Sequence, residues 1–215
     1  MSEVTLKNLP AQIAAKLLEI EAVALRPNEP FTWTSGIKSP IYCDNRLTMS
    51  YPAIRDLIAE GFAAVIRENY PDAEVIAGTS TAGIPHAAWV SQKLNLPMVY
   101  IRDKAKGHGK QNQIEGKIQP GQKVVVIEDL ISTGGSSLKA GLAVREAGAE
   151  VLAVLAIFTY QFESAAAAFA AENMPLETLS NYTALIQAAL EAGKVESGDV
   201  ELLQSWRQDP HSFGK

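Results

Sequence analysis

Residues 124–137, VVVIEDLISTGGSS, constrain this chain more than any other segment. Four consecutive β-branched residues, Val124 to Ile127, suit a strand buried on both faces, as in a parallel sheet. Two adjacent carboxylates follow, Glu128 and Asp129, then a turn rich in hydroxyls and glycine, then apolar residues at helical spacing. The order is strand, acidic edge, phosphate cradle, helix. Open α/β sheets bind ligands at the carboxyl ends of their strands, and the free N–H groups of a helix start favour a phosphate. Two carboxylates beside such a cradle would repel phosphate. They need another partner, and ribose hydroxyls or a substrate-bound cation would each serve.

Around this segment the sequence alternates between the two periodicities. Residues 9–25 carry apolar positions at helical spacing, with Pro27 and Pro30 as the stop. Residues 31–47 mix aromatics, Ser, Gly and Pro with strand-like patches. A second helix is predicted over 51–69, with Ile54, Leu57, Ile58, Phe62, Val65 and Ile66 on one face. Strands are predicted at Glu74–Ala77, in PMVYI, in KVVVIEDL and in EVLAVLAIFTY, with helices from about Ile84, through LKAGLAVREAGA and over 161–173. A last short strand is predicted at 176–179, and the tail 181–206 reads as one or two helices broken at Gly193 and Gly198. Alternating βα units argue for a parallel sheet flanked by helices.

Composition narrows the function classes. The 215 residues are 47% hydrophobic, enough for one globular domain with a substantial core. A net charge of −5 provides no global basic field for nucleic acid or an anionic membrane. Cys43 is the only cysteine, which excludes an intrachain disulfide and suits a reducing cytoplasm. The start MSEVTLKNLP lacks the charged and apolar regions of a secretory signal, and the apolar run Val151 to Phe158 is too short to span a bilayer. No membrane association is expected. His86, His108 and His211 show no metal-ligand spacing with Cys43.

Residues 102–117, RDKAKGHGKQNQIEGK, cannot bury a core face. From Arg102 to Lys110 they hold four basic residues and one acid in an otherwise acidic chain. A solvated charged loop is one reading. The segment begins at a strand's C-terminal edge, on the same side as the carboxylate pair. A cationic lid that closes over a polyanion is the other reading.

Together these segments resemble a known family. VVVIEDLISTGG resembles the signature by which type I phosphoribosyltransferases bind 5-phosphoribosyl 1-pyrophosphate (PRPP). RDKAKGHG is similar to the mobile loop of the orotate phosphoribosyltransferases, FTWTSGIKSPIYCDNR to their N-terminal hood, and GTSTAGIPHAA to their pyrophosphate loop. The likeness runs from about Phe31 to Tyr160 in four ordered motifs.

The resemblance implies a type I phosphoribosyltransferase fold in one domain: a hood mainly over 1–47, a PRPP-binding core over about 48–180 and a helical tail over 181–215. It implies transfer of a phosphoribosyl group from PRPP to orotate, with Mg²⁺ held mainly through PRPP rather than by a protein cage. It implies a homodimer with shared active sites, in which part of the lid reaches the neighbouring subunit. By the same likeness PRPP is contacted by Glu128, Asp129, Leu130, Ile131, Ser132, Thr133, Gly134, Gly135 and Ser136. Thr133 to Ser136 wrap the 5-phosphate, and Glu128 and Asp129 address the ribose hydroxyls. Arg102, Lys106 and His108 contact the pyrophosphate, Lys106 and Asp129 are the catalytic pair, and Ser132 also touches orotate. The hood covers the base, with Tyr42 beside it and Lys38 and Arg46 toward anionic groups.

Three positions depart from the family pattern. Asp103 stands where some members have Lys, with Lys104 next; Ala82 also replaces a Lys; and Tyr160 stands where others direct an Arg to orotate. A purine phosphoribosyltransferase and a PRPP-sensing nucleic-acid-binding regulator are the rival readings. The hood and lid argue against the first, the acidic charge and intact lid against the second.

Overall fold

The computed structural model describes residues 6–32, 38–103, 113–210 and 213. The chain begins with α1 (Leu9–Glu19), followed by four short strands, β1 (Val23–Leu25), β2 (Phe31–Thr32), β3 (Lys38–Ser39) and β4 (Ile41–Cys43). A 3₁₀ turn over Asn45–Ser50 leads into α2 (Pro52–Asn69). Next come β5 (Val75–Thr79), α3 (Gly83–Leu94), β6 (Met98–Ile101), β7 (Ile114–Glu115), β8 (Lys123–Ile131) and α4 (Gly135–Glu146). The chain ends with β9 (Glu150–Thr159), α5 (Glu163–Ala171), β10 (Leu176–Asn181), α6 (Tyr182–Glu191) and α7 (Asp199–Gln208).

Six strands form the main sheet in the order β10-β9-β8-β5-β6-β7. All are parallel except β7, which runs antiparallel to β6. From β5 the chain first steps to β6, then returns to the other side of β5 to lay down β8, β9 and β10 outward. The reversal falls between β5 and β8. There the connections leave in opposite directions, and a crevice opens at the strand ends.

The run VVVI explains why β8 lies in the middle. Successive side chains of a strand point to opposite faces. Val125 and Ile127 enter the larger core with α1, α2, α3, α6 and α7, while Val124 and Val126 enter a second core with Val144 of α4 and Phe169 of α5. All four are fully buried. A polar residue at any of them would lie in one core or the other.

Two sequence expectations need correction. The helix predicted over 9–25 ends at Glu19. Glu21 takes a positive φ of 57°, and Val23–Leu25 pairs antiparallel with Ile41–Cys43. The apolar spacing fitted a helix, but a strand partner eighteen or so residues away captured the segment, as tertiary pairing commonly overrides local propensity. The excursion expected over 102–117 is narrower, because Ile114 and Glu115 pair with Ile101 and Tyr100. One apolar residue, Ile114, is enough to anchor that edge strand.

The tail is tied to the larger core. Trp206 is fully buried, its ring 5.8 Å from Tyr160, 5.3 Å from Phe162 and 5.4 Å from Tyr182. The Tyr182 hydroxyl donates to the Leu203 carbonyl at 3.1 Å. These rings dock α6 and α7 against the end of β9. No helix among the described residues is long and apolar enough to cross a membrane.

Candidate active site

Two strand ends and one helix start build the crevice. At the end of β5 the chain turns directly into α3, and Gly83 permits it. A Cβ at Gly83 would lie 2.3 Å from the Ile127 carbonyl oxygen and 2.4 Å from Thr79 Oγ1. The Thr79 hydroxyl donates to that same carbonyl at 3.2 Å, stitching β5 to β8 below the crevice. Ser80, the next residue, donates to Asp103 at 3.3 Å.

β8 carries the acids. The strand continues to Ile131, so Glu128 and Asp129 lie within it rather than beyond it. Glu128 is buried and Asp129 half-buried. The Asp129 N–H donates to Glu128 Oε1 at 2.9 Å. Burial first, and the adjacent Asp129 second, push the Glu128 carboxyl up to about 8. Burial and the neighbouring acid thus favour the protonated form of Glu128. It can give that proton up when a cation or a developing positive charge arrives.

The turn after β8 sets the helix start. Gly134 caps α4 with φ 77°, and a Cβ there would lie 2.8 Å from the Phe169 ring. Only glycine accepts that conformation and closeness without strain. A Cβ on Gly135 would meet nothing within 4 Å. The Ser137 hydroxyl donates inward to the Gly134 carbonyl at 3.1 Å, while Gly135 and Ser136 are exposed. The first N–H groups of α4 have no intrahelical acceptor, so they face outward as donors.

Two cavities meet at this edge, sharing Ser80, Asp103, Glu128 and Ser136. One, of about 350 Å³, extends to Thr79, Arg102, Gln113, Gly135 and Lys139. The other, of about 470 Å³, extends to Cys43, Asp44, Arg46, Thr81, Asp129 and Leu130. The crevice thus brings together Arg102, Glu128, Asp129, Leu130, Gly135 and Ser136 of the sequence-derived set. Ile131 places its side chain in the core and is fully buried. Ser132, Thr133 and Gly134 make the turn and line neither cavity. Lys106 and His108, with Lys104, lie outside the described residues. The Arg102 guanidinium stands 3.5 Å from Glu115, and the Arg102 backbone N–H donates to the Gln113 carbonyl at 2.8 Å.

Three contributors were not read from the sequence. Lys139 lies one helical step after Ser136 on the same face of α4, a spacing that could have revealed it. Ser80 follows β5 directly and lies within GTSTAGIPHAA, so the motif held it without distinguishing it from its neighbours. Asn45 had no local signal. It is buried, and its side-chain amide donates to the Asp129 carbonyl at 2.7 Å and receives the Cys43 thiol at 3.3 Å. Burial, with Asp129 and Asp44 nearby, raises the Cys43 thiol well above its usual range, so it stays protonated.

Known proteins resemble this chain in sequence and in fold. Residues 49–174 match the model of the phosphoribosyl transferase domain family. An orotate phosphoribosyltransferase of Enterococcus faecalis is 66% identical over 204 residues, covering 95% of this chain and 97% of its own. The chain belongs to the orotate phosphoribosyltransferase family. Among solved structures, the orotate phosphoribosyltransferase of Aeropyrum pernix superposes with a TM-score of 0.73 at 26% identity, covering 86% of this chain and 99% of its own. That of Mycobacterium tuberculosis, in complex with PRPP, gives 0.64 at 25% identity, covering 82% and 98%.

No group of three or more His, Cys, Asp or Glu among the described residues stands close enough to hold a metal ion. Of the histidines, His86 is buried beside Thr48 and Trp89, and burial lowers it to about 4. It serves the packing of α3, away from the crevice lining.

Proposed function

We propose that the protein transfers the 5-phosphoribosyl group of PRPP to orotate, releasing pyrophosphate and forming orotidine 5′-monophosphate in pyrimidine biosynthesis. One observation carries this reading: the Glu128–Asp129 pair and the open start of α4 converge at the β5–β8 reversal point.

The 5-phosphate is received by the N–H groups of Gly135 and Ser136 and by the Ser136 hydroxyl. Glu128 and Asp129 accept hydrogen bonds from the ribose hydroxyls and favour the positive charge that develops at C1. The diphosphate lies toward Ser80, Arg102 and the lid, where Lys106 and His108 meet it. Mg²⁺ would neutralise the diphosphate when bound. It would be held mainly by PRPP oxygens, with Asp129 and Asp103 as the nearby carboxylates, a donor set of oxygens that suits the ion.

The reaction is a displacement at C1. The bond from C1 to the diphosphate oxygen breaks, the bond to orotate N1 forms, and the N1 proton is released. The leaving group gains negative charge, so lid cations stabilise the transition state more than the ground state. Lid closure also excludes water that would hydrolyse PRPP. No protein nucleophile takes part.

The proposal extends to a hood over 1–47, a core over about 48–180 and a tail over 181–215. In support, the family match begins at residue 49, after the four short strands. It includes a cytoplasmic homodimer in which each lid serves the neighbouring site. Mixing Lys106→Ala with Asp129→Asn chains tests the sharing. Each hybrid dimer should recover one complete site of its two, and no recovery would place each lid on its own crevice.

The direct test is to mix the protein with PRPP, Mg²⁺ and each base in turn. Orotate absorbance should fall while adenine and hypoxanthine persist. Turnover of a purine with orotate untouched would overturn the assignment.

A further inference from the structure

We propose that Arg46 reads the carboxylate of the acceptor base and so sets the preference for orotate over uracil. The inference rests on the phosphoribosyl transfer proposed above.

Cations are divided between the two cavities. The smaller one has Arg102 and Lys139 to face phosphates. Among the described residues lining the larger one, Arg46 is the one cation, facing Asp44, Asp103 and Asp129. The acceptor must approach C1 with its ring nitrogen, and orotate carries a carboxylate on the neighbouring ring carbon. That carboxylate enters a cavity whose other charged groups repel it. It requires a planar cationic donor, and guanidinium matches carboxylate geometry with paired N–H groups.

The turn presents this guanidinium in a fixed orientation. Asp44 accepts from Arg46 Nε at 2.6 Å and from Nη2 at 2.8 Å, and also from the Arg46 backbone N–H at 3.1 Å. A fork held along one edge leaves Nη1 and its neighbouring hydrogen for a ligand. The next residue back, Asn45, ties the turn to the Asp129 carbonyl, so Arg46 is registered against the ribose-facing acid. Two other cations have partners of their own. Arg207 donates to Gln161 at 3.2 Å and Thr183 at 3.0 Å, and Lys38 donates to Thr32 at 2.8 Å. At the end of β9, Tyr160 is buried among aromatic rings and supplies no charge. As a mere surface ion pair, Arg46 with Asp44 would contribute little to stability. Its removal is therefore a clean probe.

The experiment compares the parent enzyme with Arg46→Gln and Arg46→Lys. Steady-state constants for orotate and PRPP are measured, with inhibition constants for orotidine 5′-monophosphate and uridine 5′-monophosphate, which differ only by the carboxylate. Arg46→Gln should raise KM for orotate about 10–100-fold, the worth of a charged hydrogen bond, while KM for PRPP moves far less. The preference for the carboxylated nucleotide should fall by a similar factor, and Arg46→Lys should restore part of it. A preference unchanged in Arg46→Gln overturns the inference while leaving the transfer reaction standing. So does a rise in KM for PRPP equal to that for orotate, which would assign Arg46 to the diphosphate. A parent enzyme that ignores orotate overturns both.

Discussion

The two sides of the crevice, which the proposed reaction assigns to phosphate and to base, are held in place differently. The phosphate side grows out of the sheet: β8 is buried on both faces, Gly83 fits against its carbonyl, and Gly134 fits against Phe169. The base side is a hood turn, and it is fixed to β8 by the Asn45 amide and steadied by the Asp44–Arg46 fork. Phosphates are common to every PRPP-dependent reaction, and the acceptor base is what varies. A site common to many reactions can rest on the core. A site that selects one acceptor can be changed more cheaply when it rests on a turn, as functional variation generally does.

Four tests can break or sharpen this contrast. The largest effect should come from Lys106→Ala. On the proposed mechanism, losing a cation that serves the leaving group should lower kcat by about 10²–10³-fold with little change in PRPP affinity. Equal losses in turnover and affinity would mean that Lys106 binds the ground state only.

The paired glycines of the cradle come next. Gly134→Ala forces a side chain into φ 77° and against Phe169, and it should destabilise the fold by about 2–3 kcal/mol in urea titration. Gly135→Ala meets open space, so its melting temperature should match the parent while PRPP binding weakens. Equal loss of stability in both would remove the distinction between a packed residue and a ligand-facing one.

Asp129→Asn should reduce turnover by about 10–100-fold, the scale of a charged hydrogen bond to ligand. It should barely shift the melting temperature, because Asp129 is half-buried at the crevice. A large drop in melting temperature would make it structural.

The smallest effect is a protonation signature. The Glu128 carboxyl is raised in the folded protein from an ordinary value of about 4.5 to about 8. The folded chain therefore binds more protons than the unfolded one between these values. The associated stability is fully present below about pH 4.5 and is lost as pH rises through about 8. Glu128→Gln should accordingly be more stable than the parent above pH 8, with the advantage fading toward pH 4.5. Magnesium PRPP should also draw a proton off the pair at pH 7, seen as a binding enthalpy that depends on buffer. A pH-independent stability difference between Glu128→Gln and the parent would place the charge elsewhere.

Much of this molecule was legible from the residues in order. The βα alternation, the buried VVVI strand and the cradle after it are local patterns, and local patterns survive into the fold. What escaped depends on partners distant in sequence. Val23–Leu25 became a strand because Ile41–Cys43 was waiting for it. Asn45 gained its role from a carbonyl 84 residues later. Lys139 joined the crevice only because α4 starts at Gly135. Ile131 shows the converse, a signature residue whose side chain serves packing. Motif membership does not distinguish a backbone contribution from a side-chain one.

Calorimetric titration of the protein with PRPP in the presence of Mg²⁺ tests the central claim most directly. Saturable uptake of one PRPP per chain, weakened by Gly135→Ala and Asp129→Asn, is the predicted result. Absence of binding heat in buffers of differing ionisation enthalpy, with the protein folded, would contradict it.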